Sequence, residues 1–431
     1  MKRRDFLKLL GAAGISVMCP PGLRAARGQI AGYDGPLYCS IAAEGGWDVT
    51  SFCDPKTNVP GNPQINHWAQ SDTVRTITGS EIRYAPFANN ESFFQRFHGD
   101  MLVVNGVDTQ TNSHDAGVRH SWSGRLAPGY PSFAALAAAA YGQGLPLSFI
   151  NNGGYRETAG IVNYSRVSNP SVLRSLAQPN GVPWGGGDVH NDTDELAVIR
   201  AHADDRNAAL LAREDLLPRE RRAVESMAGA LADSTQLEAL AAVLPEQFPE
   251  PIDRDGNYNG LLQQIEIALL CYTAGLTVSC DLVSWGFDSH TDHDSEQAMS
   301  LSLLTNGVEY LWDRAAELGI ADRLILCMSS DFGRTPEYND DDGKDHWPIG
   351  STIFMQQNAP WGDRVVGLTD DGHNAIAIDP TTLDPDPGGG IVIQPKHVQD
   401  AFRRLGGIDL DATTQSFPLL AEPLDIFNPA L

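Results

Sequence analysis

The sequence predicts an α/β fold: a mostly parallel sheet with helices on both faces. Short apolar runs of strand length alternate along the chain with longer stretches of helical periodicity, which is typical of parallel sheets. The clearest apolar run, residues 324–328, ends abruptly in Ser329, Ser330 and Asp331. Ligands bind at the carboxyl ends of strands in open α/β sheets, so Asp331 is a candidate site residue.

The remaining elements follow the same alternation. Further strands are predicted at residues 37–43, 101–105, 145–150, 276–283, 351–355, 364–368 and 391–393. Helices are predicted at residues 132–141, 260–272, 295–318 and 396–405, and another is expected to start after Ser113. Residues 52–88 are rich in Pro, Asn and Thr and predict a long surface segment.

A helical insertion is expected at about residues 190–250. From Asp194 to about Ala242, charged residues alternate with Leu, Ala and Val at helical spacing, which predicts two or three surface helices. Residues 27–431 are therefore predicted to form a single domain that carries this insertion.

Residues 1–26 are predicted to be a twin-arginine export signal. The sequence Lys2-Arg3-Arg4-Asp5-Phe6-Leu7-Lys8 has the twin-arginine pattern, and a mildly apolar run follows it at residues 9–18. That run is too short to span a bilayer as a settled helix, so no stable membrane span is expected after cleavage. The expected location is the periplasm or the extracellular medium.

The charge of the chain limits its partners. The 431 residues carry a net charge of −25. Nucleic acid is not expected as a partner, because there is no basic stripe to neutralise phosphates. A strongly anionic polymer is also disfavoured as a substrate unless a bound metal inverts the local field.

Four predicted strand ends carry carboxylates or imidazoles, which converge if the ends share one edge of the sheet. They are Asp48; Ser113 with His114 and Asp115; Asp288 with His290, Asp292 and His293; and Asp331 with His346. Asp and His together suit zinc, manganese or another divalent cation. The cysteines show no CxxC spacing, which argues against a zinc-thiolate site.

Ser113 has two interpretations. A serine at a helix N-terminus between such groups would be activated as a nucleophile by metal coordination and the helix dipole. The alternative is an ordinary helix N-cap.

Motifs at these strand ends point to a known family. They are Gly-Gly-Trp-Asp48, Gly286-Phe-Asp-Ser-His290, Ser330-Asp-Phe-Gly-Arg-Thr-Pro336 and Lys344-Asp-His-Trp-Pro348. Together they resemble a bacterial family of exported proteins, domain of unknown function 1501, which is placed near the alkaline phosphatase and sulfatase superfamily. The resemblance covers nearly the whole mature chain and implies an alkaline-phosphatase-like core.

The resemblance also implies roles for single positions. The implied metal ligands are Asp48, Asp288 with His290 or His293, Asp331, and His346. Ser113 lies where the covalent nucleophile is expected, and Arg334 would hold the anionic group of the substrate or pair with a neighbouring Asp. One position departs from the pattern, because Phe332 stands where the superfamily has a histidine ligand.

The expected function is an exported metal-dependent hydrolase of phosphate or sulfate esters. Its ligands would be a divalent metal, zinc or manganese, and a small anionic ester. The alternative is a non-catalytic envelope binding or assembly protein that keeps the fold with a degenerate metal site. Phe332 favours the alternative, because it removes a ligand from a second metal.

Overall fold

The structure is a computed structural model that describes residues 33–430, except 168, 183–186, 218, 222, 226–227 and 229–235. The predicted export signal lies outside the described residues, and so does part of the predicted insertion. Within the described part, no helix is both long and apolar enough to cross a membrane.

The strands and helices alternate along most of the chain. The strands are β1 (Leu37–Ala43), β2 (Arg75–Thr76), β3 (Arg83–Tyr84), β4 (Met101–Asp108), β5 (Phe149–Asn151), β6 (Ser279–Ser284), β7 (Leu324–Ser330), β8 (Gly333–Arg334), β9 (His346–Trp347), β10 (Ile349–Met355), β11 (Arg364–Val366), β12 (Leu368–Thr369) and β13 (Ala375–Ile376). The helices are α1 (Asn90–Phe97), α2 (His114–Ser123), α3 (Phe133–Tyr141), α4 (Ser171–Ala177), α5 (Thr193–Leu211), α6 (Gly260–Thr273), α7 (His293–Glu317), α8 (Pro395–Leu405) and α9 (Ala412–Gln415).

A seven-stranded sheet in the order β11-β4-β10-β7-β1-β6-β5 forms the centre of the fold. Strands β7, β1, β6 and β5 are parallel to one another, and β11 is parallel to β4. Only β10 runs antiparallel to its neighbours, β4 and β7. The predicted mostly parallel sheet is confirmed.

Helices cover both faces of this sheet, as predicted. Apolar side chains of α1, α6 and α7 pack on one face, and those of α2, α3 and α8 pack on the other. Strand β1 serves both layers because its side chains alternate: Leu37, Cys39 and Ile41 point to the first face, while Tyr38 and Ala42 point to the second. Burial on both faces explains why this strand has no polar stripe.

Several predicted boundaries differ from those observed. Strands β5 and β6 begin later than predicted, and residues 391–393 form only an isolated bridge, from Ile391 to Ile378. Residues 52–88 are less exposed than predicted, because they include the β2–β3 hairpin and buried apolar side chains such as Ile82 and Tyr84. In the predicted insertion, α5 is largely exposed, as a charged surface helix should be.

The topology brings the candidate residues to one edge of the sheet. Strands β1, β4, β6 and β7 all point the same way, so their carboxyl ends lie at one edge. Strand β10 runs the other way and therefore starts at that edge, directly after β9 and His346. This arrangement explains how residues far apart in sequence form one site.

Candidate metal centre

Three histidines and one aspartate form a compact cluster at this edge. One donor atom each from His114, Asp288 and His346 lies within 4.8 Å of the other two. The Nε2 atom of His290 is 3.0 Å from Nε2 of His346 and 3.1 Å from Oδ1 of Asp288. The same Asp288 oxygen lies 3.5 Å from Nε2 of His114 and 3.4 Å from Nε2 of His346.

The opposite nitrogen of each ring is held by an oxygen. The partners of the Nδ1 atoms are the Asp331 carboxylate for His114, the Asp345 carboxylate at 3.0 Å for His290, and the Asn112 carbonyl at 2.8 Å for His346. A carbonyl or carboxylate oxygen can only accept, so each neutral ring carries its proton on Nδ1. The Nε2 lone pairs are then free and turned toward one another, which is how proteins orient metal-binding histidines.

The four candidate ligands come from three segments of the chain. His114 is the first residue of α2, Asp288 and His290 follow β6, and His346 opens β9. Helix α2 approaches the end of β7 closely because residue 117 is glycine: a Cβ there would lie 2.3 Å from the carbonyl oxygen of Asp331. The close approach brings His114 within reach of the Asp331 carboxylate.

Arg334 is buried beneath the cluster and holds Asp288. Its guanidinium donates to Oδ1 of Asp288 at 2.6 Å and to the carbonyl oxygens of Gly45, Gly46 and Lys344. Partial burial acts to raise the pKa of Asp288, but the hydrogen bond and the charge of Arg334 outweigh it and lower that pKa. Asp288 is therefore ionised and fixed in position.

Two further features shape the centre. The hydrogen bond to Asp331 raises the pKa of His114 above its ordinary value in the metal-free protein.

The buried Phe332 ring packs against two of the imidazoles, with centroid distances of 4.8 Å to His114 and 4.4 Å to His346. Phe332 thus forms an apolar wall of the centre.

A second polar group lies below the centre and contains Asp48. This carboxylate is fully buried and accepts hydrogen bonds from Lys344 at 2.8 Å and from His293 at 2.9 Å. Burial acts to raise the pKa of Asp48, but the charge of Lys344 and the hydrogen bond from His293 hold it well below its ordinary value. Burial keeps the pKa of His293 low, so the charged pair is Asp48 with Lys344.

The structure brings together three of the predicted metal ligands: Asp288, His290 and His346. Asp331 lies next to them, and its carboxylate binds His114 and the backbone N–H of Gly45. Asp48 contacts Lys344 and His293 instead of the cluster. Two predicted site residues remain, Ser113 and Arg334. Ser113 directly precedes His114, is exposed and makes no capping hydrogen bond. Arg334 is fully buried.

His114 is the residue that the sequence reasoning did not select as a ligand. It belongs to the same predicted strand-end group as Ser113, the residue to which the family resemblance assigns the role of nucleophile. The imidazole beside a candidate nucleophile, directly after a strand, was the signal that would have identified it.

The donor set fits a divalent cation. Three neutral imidazoles and one carboxylate are a common set for zinc, and manganese accepts the same donors. Three carboxylates contribute negative charge around the centre, Asp288, Asp331 and Asp345, against the single guanidinium of Arg334. The surroundings therefore favour a cation.

A groove of about 1330 Å³ opens beside the centre. Its walls include His114, Asp288 and Asp331 from the centre and residues 154–158 from the loop after β5. The groove is therefore large enough to hold a ligand bigger than a simple inorganic anion beside His114 and Asp288.

Fold and site together define an α/β protein with a candidate metal centre at the carboxyl edge of its sheet. The chain belongs to the family of proteins of unknown function called DUF1501, whose model matches residues 40–384. The family expected from the motifs is thereby confirmed. Among curated proteins, no significant match was found.

Solved structures show distant likenesses. The alkaline phosphatase from the Antarctic bacterium TAB5 is 9% identical, with a TM-score of 0.33, covering 77% of this chain and 95% of that one. The lipoteichoic acid synthase LtaP from Listeria monocytogenes is 10% identical, with a TM-score of 0.37, and the match covers 98% of this chain and 81% of that one. The 2-O GAG sulfatase BT1596 is 8% identical, with a TM-score of 0.33, and the match covers 88% of this chain and 72% of that one.

Proposed function

We propose that this chain is an exported, metal-dependent hydrolase of phosphate or sulfate esters. The observation that carries the proposal is the orientation of His114, His290 and His346. Each ring is fixed through Nδ1 by an oxygen, and each places Nε2 within 3.5 Å of Oδ1 of Asp288. Histidines that serve only to pack or to cap helices have no reason to converge in this way.

In the proposal, His114, His290, His346 and Asp288 hold zinc or manganese. Bound there, the cation would stabilise negative charge on the oxygens of a phosphoryl or sulfuryl group. Asp331 and Asp345 orient two of the histidines from outside.

Arg334 is proposed to position Asp288 rather than the substrate. Its hydrogen bonds go to a carboxylate and three backbone carbonyls, and its side chain is fully buried.

Ser113 is proposed as the nucleophile. Its hydroxyl lies at the N-terminus of α2, where the helix dipole favours the developing alkoxide, and it caps no backbone N–H. Replacing it by alanine should abolish ester turnover while metal content stays unchanged. Full turnover by Ser113→Ala would remove Ser113 from the mechanism without affecting the metal centre.

The experiment that tests the proposal measures metal and turnover in the same preparations. Purified protein is analysed for bound zinc and manganese and assayed on aryl phosphate and aryl sulfate esters, with and without chelator. We expect about one metal per chain and chelator-sensitive turnover, both lost in His114→Ala and His346→Ala. The control is His202→Ala, because His202 is an exposed histidine on α5. This variant should bind metal and turn over esters as the wild type does.

Absence of bound metal, or turnover that is indifferent to chelator, would contradict the enzyme proposal. Stoichiometric metal without any turnover would support the second candidate, a non-catalytic envelope binding or assembly protein. The observation in favour of this candidate is that Arg334, expected to hold the substrate anion, is committed to Asp288 and backbone carbonyls.

Export is part of the same proposal and rests on the Arg3-Arg4 pair. Replacing both arginines by lysine should retain the protein in the cytoplasm. Cell fractionation measures this directly. Undiminished export of the double variant would contradict a twin-arginine route.

A further inference from the structure

A large aromatic side chain is exposed beside the metal centre. Trp285 follows β6, three residues before Asp288, and is 55% exposed. It lines the groove together with Met299, which is 50% exposed. An indole left open to water next to a site is a flat apolar surface suited to stacking against a ligand ring.

The groove around this indole carries many hydrogen-bond acceptors. Outside the metal centre, its carboxylates are Glu44, Asp115, Glu157 and Glu296. Carboxylates accept hydrogen bonds from hydroxyl groups and repel further anions. The part of a ligand that lies in the groove should therefore be neutral and rich in hydroxyls.

Two arginines also line the groove, Arg119 and Arg156. Arg119 donates to the carbonyl oxygen of Leu126 at 2.8 Å, and Arg156 is exposed without a carboxylate partner among the described residues. Two cations against four carboxylates leave this part of the groove with an excess of negative charge, which disfavours a ligand that carries several anionic groups.

We propose that the substrate is a saccharide with a single phosphate or sulfate ester, whose sugar ring stacks on Trp285. A pyranose has a flat face of C–H groups that suits an indole and an edge of hydroxyls that suits carboxylates. A plain aryl ester would stack as well, but it has no hydroxyl groups to donate to those carboxylates. The proposal deepens the proposed hydrolase function and depends on it.

Binding separates the saccharide from other ester classes. The metal-loaded protein is titrated by calorimetry with the 6-sulfates and 6-phosphates of glucose, galactose and N-acetylglucosamine. Ethyl sulfate and ethyl phosphate lack the ring, and phenyl sulfate carries an aromatic ring in place of the sugar. We expect at least one sugar ester to bind about tenfold more tightly than the matching ethyl ester, the gain that a stacked ring supplies.

Trp285→Ala should abolish that gain and leave the affinity for the ethyl esters unchanged. Tyr258→Ala is the matched control, because Tyr258 is 66% exposed and does not line the groove. Equal sugar-ester affinity in wild type and Trp285→Ala would overturn the proposal, and so would tighter binding of phenyl sulfate than of every sugar ester.

The outcome is distinguishable from failure of the hydrolase proposal. Chelator-sensitive turnover of aryl esters without any sugar-ester binding would overturn the saccharide proposal alone. Trp285-dependent binding of a sugar ester by a metal-loaded protein without turnover would overturn the hydrolase proposal, and the sugar ester would then be a bound ligand and not a substrate.

Discussion

At the scale of single residues, the proposed metal centre depends on side chains that would not touch the metal themselves. Asp331 and Asp345 each bind the Nδ1 atom of one histidine. Replacing either by asparagine keeps the shape of the side chain and removes the charge that fixes the ring. We expect metal affinity to fall by roughly ten- to a hundredfold, measured by competition with a chromophoric chelator.

The chain offers a matched control for this prediction. Asp363 binds Nδ1 of His98 at 3.0 Å, outside the cluster. Asp363→Asn should leave metal affinity unchanged. If all three variants bind metal equally well, the orienting role of Asp331 and Asp345 is wrong.

Three of the residues predicted as metal ligands lie together in the structure, but the surroundings of the other predicted site residues could not be predicted. Asp288, His290 and His346 could be selected because motif residues after strands meet at one edge. The environment of Asp48 could not be predicted, because nothing in a Lys-Asp-His-Trp sequence says that Lys344 is buried. The role of Arg334 could not be predicted either. The motif is the same whether the arginine is buried beneath the site or faces the substrate.

At the scale of elements, the packing of α2 on the end of β7 places His114. A methyl group at residue 117 would collide with the carbonyl oxygen of Asp331 and push the helix away. Gly117→Ala should therefore weaken metal binding by more than tenfold while circular dichroism stays close to that of wild type. Gly99→Ala is the control, because a Cβ at that position has no atom within 4 Å.

The buried pair Asp48–Lys344 joins the loop after β1 to the segment that carries His346. Lys344→Met leaves a fully buried carboxylate without its cation, which should lower the free energy of unfolding by about 3–5 kcal/mol. Lys396→Met breaks the surface pair with Glu422 and should change the free energy of unfolding by about 1 kcal/mol or less. Urea unfolding of both variants compares them, and similar losses would contradict the structural role of the buried pair.

The elements themselves were largely predictable, since buried parallel strands are continuous apolar runs. The antiparallel direction of β10 was not predictable, because it depends on how residues 331–348 turn back along the edge. Residues 391–393 were predicted as a strand from their isoleucines. Among the described residues this segment makes one isolated bridge, Ile378–Ile391, and its Ile393 carbonyl oxygen accepts a single hydrogen bond from the N–H of Asp108, so no continuous strand forms.

At the scale of the whole molecule, one buried carboxyl group links stability to pH. Asp281 lies within β6, and burial raises its pKa to about 8. The folded state therefore keeps a proton that the unfolded chain loses near pH 4. The folded state binds more protons between these values, so this group makes stability fall as pH rises from about 4 to about 8.

Asp281→Asn should remove this dependence. Over that range the difference in unfolding free energy between variant and wild type should change by up to roughly 1.4 kcal/mol per pH unit, in favour of the variant at high pH. Denaturant unfolding at a series of pH values measures it, with the exposed Asp322→Asn as control. A difference that does not vary with pH would contradict the raised pKa.

The three segments that supply the histidines are separated by more than half of the chain, from His114 to His346. An unfolded chain has no means of holding these side chains together, so a cation that binds them binds only the folded state. Metal at a hundred times its dissociation constant then adds about 2.7 kcal/mol to the stability of the fold. The cluster that is proposed to act on esters would thus also hold together the segments that follow β4 and β6 and precede β10. Loss of metal would lower the free energy of unfolding as well as abolish activity.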